Sequence, residues 1–167
     1  MLLHIVARGK LGRSAEAELV ERYLKRIAWP VKMTELPESG GSLPAAAANS
    51  VTIVMDEKGE QLGSMELARL LERWRDGGKR EARFLVGGAD GFDDGMRAGA
   101  DLLLAFGKAT WPHLLARAML AEQLFRATSN PPACPGRGPA GRRRLCGGAD
   151  RGGGGCGGAS RRQARGG

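Results

Sequence analysis

The chain has 167 residues, 42% of them hydrophobic, and 26 Lys and Arg against 18 Asp and Glu give a formal charge of +8. One compact domain is expected at that length; no apolar run approaches the roughly 18 residues that cross a bilayer and no charged, apolar leader precedes the first strand, so a cytoplasmic protein is expected. The charge is unevenly placed: the 38 residues from Asn130 hold eight arginines against Asp150 alone, which leaves the first 129 residues at +1 and removes bulk basicity as an argument for nucleic acid.

In chain order, residues 2–7 read as a strand and 8–13 as a polar loop. His4 is expected to be structural, because acid–base work needs a second group within reach. Ser14 can cap a helix running to about Ala28, with Leu19, Val20, Tyr23, Leu24 and Ile27 on one face and the charged residues solvated. Residues 31–36 alternate as a half-exposed strand does, and 37–50 read as a surface loop with room for one helical turn. Residues 51–55 are continuously apolar, as in a strand covered on both faces, and end in a polar loop at 56–60. Ser64 then caps a helix carrying Leu67, Leu70, Leu71 and Trp74, which Gly77 and Gly78 stop; Trp74 is expected in the core.

The block from 82 to 129 carries the functional expectation. Two apolar runs of strand length, 82–86 and 102–106, each lead into a glycine-containing loop, at 87–91 and 106–112. Pro112 suits a first helical position, and from His113 to Thr128 apolar residues recur at three- and four-residue spacings. Strand and helix signals thus alternate, which gives an α/β domain with a mostly parallel sheet flanked by helices. In such sheets a ligand sits outside the carboxyl ends of the strands, and glycines there let it approach the backbone. The dinucleotide spacing G-x-G-x-x-G, a Walker lysine and a serine nucleophile elbow are all missing, so a ligand held mainly by main-chain groups is expected. Cys134, Cys146 and Cys156 match no close pair of metal ligands, and no metal site is expected.

These residues resemble the bacterial ribosomal large-subunit pseudouridine N-methyltransferases of the SPOUT class, the RlmH family. The likeness covers residues 1–129 and rests on Val54-Met55-Asp56, Glu72-Arg73-Trp74, the run from Phe84 to Gly91, Thr110-Trp111-Pro112-His113, and the run from Ala121 to Ala127. It implies a trefoil-knotted SPOUT methyltransferase fold and S-adenosyl-L-methionine as cofactor. The cofactor would meet the backbone around Met55, Gly87 and Gly88, and along Phe106, Gly107, Lys108, Ala109, Thr110 and Trp111. His113 and Glu122 match polar positions of the family near the site. Nine residues apart, they lie on opposite sides of the helix. The resemblance further implies a homodimer that acts on 23S rRNA in the 70S ribosome and methylates a pseudouridine at ring nitrogen 3.

The chain departs from the family after Ser129. Members end in a Pro-Tyr-His type segment that reaches the site, whereas here the only tyrosine is Tyr23 and the only histidines are His4 and His113. Residues 130–167 form a Gly/Arg-rich tail outside the methyltransferase domain, too poor in apolar residues to fold and expected to be disordered. Its composition suggests an out-of-frame reading, which DNA lacking Pro-Tyr-His in either shifted frame would refute. Two other readings stay open beside the active enzyme: a catalytically impaired dimer that binds cofactor or ribosome, and an unrelated nucleotide-binding α/β module.

Overall fold

In the computed structural model, which describes residues 1–88 and 91–129, the strands are β1 (Leu2–Arg8), β2 (Val31–Leu36), β3 (Ser50–Gln61), β4 (Glu81–Val86) and β5 (Leu102–Ala105). They form one sheet in the order β2-β1-β4-β3-β5, parallel at every pairing. The helices are α1 (Ala15–Leu24), α2 (Ser64–Asp76), α3 (Asp94–Ala98) and α4 (His113–Ser129). The expectation of disorder at 130–167 lies outside the described residues. Among the described residues no helix is long and apolar enough to cross a membrane.

Strand alternation sorts the buried side chains onto two unequal faces. Leu3, Ile5 and Ala7 of β1, Val51 and Ile53 of β3, and Ala82, Phe84 and Val86 of β4 join Leu67 and Leu71 of α2 and Leu120 and Leu124 of α4 in the main core. The opposite face holds a smaller cluster, Val6, Val54, Leu85 and Phe92, against which, among the described residues, Leu36, Leu43, Leu103, Ala100 and Met96 of α3 pack. β4 lies between β1 and β3 and is buried along its whole length, including Glu81 and Arg83. Burying those polar groups requires partners. His4 Nδ1 and Glu81 Oε1 are 2.7 Å apart, His4 Nε2 and Thr34 Oγ1 2.9 Å, and Arg83 Nη2 donates to the Pro44 carbonyl at 2.6 Å. His4 is accordingly a structural residue, and Trp74 packs against the main core, both as expected.

Ser14 caps α1, its hydroxyl accepting from the Ala17 N–H at 3.2 Å. The helix ends earlier than its apolar spacing predicts. The Tyr23 carbonyl takes the N–H groups of both Arg26 and Ile27, which tightens the last turn before Trp29-Pro30.

The larger difference lies in β3, which continues through the expected loop at 56–60 as far as Gln61. It meets β5 twice: Ile53, Val54 and Met55 register with Leu102, Leu103 and Leu104, and after an irregularity Glu60 and Gln61 register with Leu104 and Ala105. Gly59 makes the second approach possible. A Cβ there would lie 2.5 Å from the Leu103 carbonyl carbon and 2.6 Å from the Leu104 nitrogen, both main-chain atoms. Glu60 and Gln61 are in the strand because they pair with β5, a pairing that local composition does not encode.

Candidate active site

At the carboxyl ends of β4 and β5, where a parallel sheet leaves its loops free, and beside the point where β3 leaves its first pairing with β5, lies a cavity of about 700 Å³. Met55, Asp56 and Glu57 of β3 form one wall. Val86, Gly87, Gly88 and Gly91 form a second. The loop after β5, with Phe106, Gly107, Ala109, Thr110 and Trp111, forms a third, and Pro112, His113 and Ala116 close it from the start of α4. Of the residues expected to meet a cofactor, all line this cavity except Lys108, which is exposed beside it.

The two glycine loops are held by specific contacts. Gly87 faces Gly91 so closely that a Cβ on Gly87 would lie 3.0 Å from the Gly91 Cα, which keeps a strip of wall as bare main chain. The loop after β5 is fastened at two points. Thr110 Oγ1 donates to Glu57 Oε2 at 2.6 Å, and Trp111 Nε1 donates to the Phe106 carbonyl at 3.1 Å. Trp111 still leaves 42% of its surface exposed, so the indole stands at the mouth and not in the floor.

Two charged residues of the lining, Asp56 and Arg97, form an ion pair that the sequence did not reveal. Arg97 of α3 donates from Nε to Asp56 Oδ2 at 2.7 Å and from Nη1 to Asp94 Oδ1 at 3.0 Å. Asp56 also accepts from the Lys58 N–H at 2.9 Å, and its side chain is 6% exposed. Burial alone would raise the Asp56 carboxyl, but the Lys58 N–H, the Arg97 hydrogen bond and the Arg97 charge outweigh it and hold the group below the ordinary aspartate range. A depressed carboxyl contributes stability above its unfolded pKa and loses it as pH falls through the folded one. Wild-type stability is therefore expected to fall below about pH 4, whereas Asp56→Asn is less stable near pH 6 and has a shallower acid limb. Urea unfolding from pH 2.5 to 6 checks this; parallel acid limbs would show that Asp56 is not coupled to folding.

His113 and Glu122, the two residues expected to do chemistry, are not brought together. His113 lines the cavity at the first turn of α4. Glu122 is absent from the lining; it pairs with Arg126 one turn on and accepts from Gln123 Nε2 at 2.8 Å. One turn after His113, Arg117 is fully buried. It donates to the Arg8 carbonyl and stands 3.5 Å from Glu35, so it fastens α4 to the ends of β1 and β2. Burial lowers the Arg117 pKa, against the charges of Glu35 and Glu38.

The cavity suits a cofactor held by backbone. Its volume lies in the usual range for small-molecule sites, and two of its walls are glycine loops whose main chain is open to a ligand.

A family model described as "Predicted SPOUT methyltransferase" matches residues 1–129. Among curated proteins, one from Rhizorhabdus wittichii is 69% identical over 129 residues, covering 77% of this chain and 92% of that protein. Another from Sphingopyxis alaskensis is 67% identical, covering 77% and 91%. A more distant one, from Zymomonas mobilis, is 56% identical over 131 residues, covering 77% and 92%. All three carry the name Ribosomal RNA large subunit methyltransferase H.

Proposed function

Because the chain belongs to the SPOUT methyltransferase family, a fold class that is α/β with a knotted parallel sheet, we propose that it methylates large-subunit ribosomal RNA with S-adenosyl-L-methionine as donor. The finer reading places the methyl on ring nitrogen 3 of a pseudouridine in 23S rRNA, on the assembled 70S ribosome in the cytoplasm. The acting form is a homodimer joined through the knotted region and α4, with the target base entering from the partner's side. Residues 1–129 make up the catalytic domain, and 130–167 are an appendage outside it. The observation that carries the reading is the cavity itself: three strand-end segments, two of them glycine loops, enclose a small-molecule space inside the stretch that matches the family.

Bound there, the cofactor supplies an electrophilic methyl carbon on a sulfonium. The main chain at Met55, Gly87 and Gly88 and from Phe106 to Trp111 would hold it, Lys108 through its backbone. The bonds from Thr110 to Glu57 and from Trp111 to Phe106 keep the third wall in place. His113, the polar side chain at the α4 wall, would take the imide proton of the target base, whose ring nitrogen would receive the methyl group that the cofactor supplies. Orientation can contribute ~7–11 kcal/mol, whereas a placed base contributes about 10²–10⁴ in rate, so alignment is the larger share. Glu122 supports the site from the far side of α4, through its pair with Arg126.

Calorimetry with S-adenosyl-L-methionine, together with methylation of 70S ribosomes read by mass spectrometry of 23S rRNA, tests this. Cofactor binding with a product at one pseudouridine is expected; neither binding nor product would sink the proposal. A second reading has one observation in its favour: the match to the relatives stops at about residue 129, where the chain turns into the Gly/Arg-rich tail. Cofactor binding without product would favour that reading, an impaired dimer.

A further inference from the structure

We propose that the loop between β1 and α1 is a phosphate grip, in which Lys10 and Arg13 hold the sugar–phosphate backbone of the RNA whose base enters the cavity. The inference rests on the RNA-methylating reading and adds the surface by which the substrate is held. Placement comes first. In a parallel sheet every strand opens its carboxyl end at one rim, and β1 lies directly beside β4. The loop after β1 therefore borders the glycine loop after β4. Glu38 links the two: its carboxylate abuts Gly9 and comes within 2.8 Å of where a Cβ on Gly88 would stand.

The loop is also held in shape. The Gly9 N–H donates to the Leu36 carbonyl at 2.9 Å, and the Leu11 N–H donates to Glu35 Oε1 at 2.9 Å. Lys10 and Arg13, both exposed, thus project from anchored backbone, so that a contact needs to order their side chains but not the loop.

The third argument concerns which charges on this rim are spoken for. Glu35 faces Arg117, Asp56 and Asp94 share Arg97, Asp93 caps α3 at the Met96 N–H, and Glu57 takes the Thr110 hydroxyl. Among the described residues Lys10 and Arg13 form no ion pair with a carboxylate, and neither does Lys108 on the loop after β5. The exposed acids of this rim, Glu57, Asp93 and Asp94, are thus each engaged by a hydrogen bond or an ion pair, while Lys10 and Arg13 stand exposed beside them. That pattern fits a polyanion, whose phosphates lie along a strand on both sides of the base being modified.

The test compares the full chain with the double variants Lys10→Glu/Arg13→Glu and Lys10→Ala/Arg13→Ala, so that the arginine tail is the same throughout. Both residues are exposed and outside the cavity lining, so thermal midpoints and S-adenosyl-L-methionine affinity should stay as in wild type. With 70S ribosomes as substrate, the charge reversal is expected to raise KM about tenfold while kcat stays within about twofold. Binding of 23S rRNA, measured by filter retention from 50 to 200 mM KCl, should show a log–log salt slope shallower by about 1 to 2. Unchanged KM and slope would overturn the grip, as would a fall in kcat with KM untouched. If wild type methylates nothing, the function proposed above has failed; the rRNA salt slope then still decides the grip. Loss of affinity for acidic peptide or anionic vesicles without loss for rRNA would point to another partner and also overturn it.

Discussion

His113→Ala is expected to lower kcat for ribosome methylation by about 10²-fold or more while leaving S-adenosyl-L-methionine affinity within about threefold. The imidazole lines the cavity from the first turn of α4, whereas the groups proposed to hold the cofactor are mainly main-chain atoms of other segments, so removing it should cost the chemical step and not the binding step. Glu122→Gln supplies the contrast. Glu122 is outside the lining and shares an i,i+4 pair with the half-exposed Arg126, an arrangement worth about 0.3–0.5 kcal/mol, so its loss should change kcat less than about fivefold. Single-turnover rates with excess ribosomes and saturating cofactor read both variants. A collapse with Glu122→Gln and none with His113→Ala would move the chemistry to the other side of α4.

Gly59→Ala is expected to destabilise the fold by about 3 kcal/mol and to lower the thermal midpoint by roughly 10 °C. All three of the nearest atoms a new Cβ would meet, at 2.5, 2.6 and 2.7 Å, belong to the main chain of Leu103 and Leu104, so no flexible side chain can move aside. Relief requires β3 and β5 to part where their second pairing begins, at Glu60 and Leu104. Because Met55 and Leu104 both line the cavity, the same change should weaken cofactor binding. Urea unfolding and calorimetry on one preparation measure the two effects together. An unchanged midpoint would mean that the strands do not approach as closely in solution.

Most of the sheet was legible because burial on one or both faces leaves a local trace. The runs at 51–55 and 82–86 are apolar but for Thr52 and Arg83 since the sheet is covered on both faces there, and the stripes of α1, α2 and α4 follow from packing on one side. The glycine loops at the ends of β4 and β5 were likewise readable, and they supply two walls of the cavity. What stayed hidden depends on partners distant in sequence. Glu60 and Gln61 are exposed and polar, so nothing nearby reveals that they pair with β5. α3 is five residues long with none buried, hence without a periodic apolar signal, and Arg97 came with it. Asp56 appeared as one acid among several at a strand end; only the approach of Arg97, forty-one residues later, distinguishes it. Helical spacing placed His113 and Glu122 on opposite sides of α4, but could not say which side faces the cavity.

Among the described residues every part of the cavity wall follows residue 54, from Met55, Asp56 and Glu57 through Val86, Gly87, Gly88, Gly91 and Arg97 to the loop after β5 and Ala116 of α4. The first fifty residues supply β1, β2 and α1 and none of the lining. During synthesis from the amino terminus, the scaffold therefore emerges well before the pocket can exist. A nascent chain completes this cavity only once the start of α4, with Pro112, His113 and Ala116, has been made.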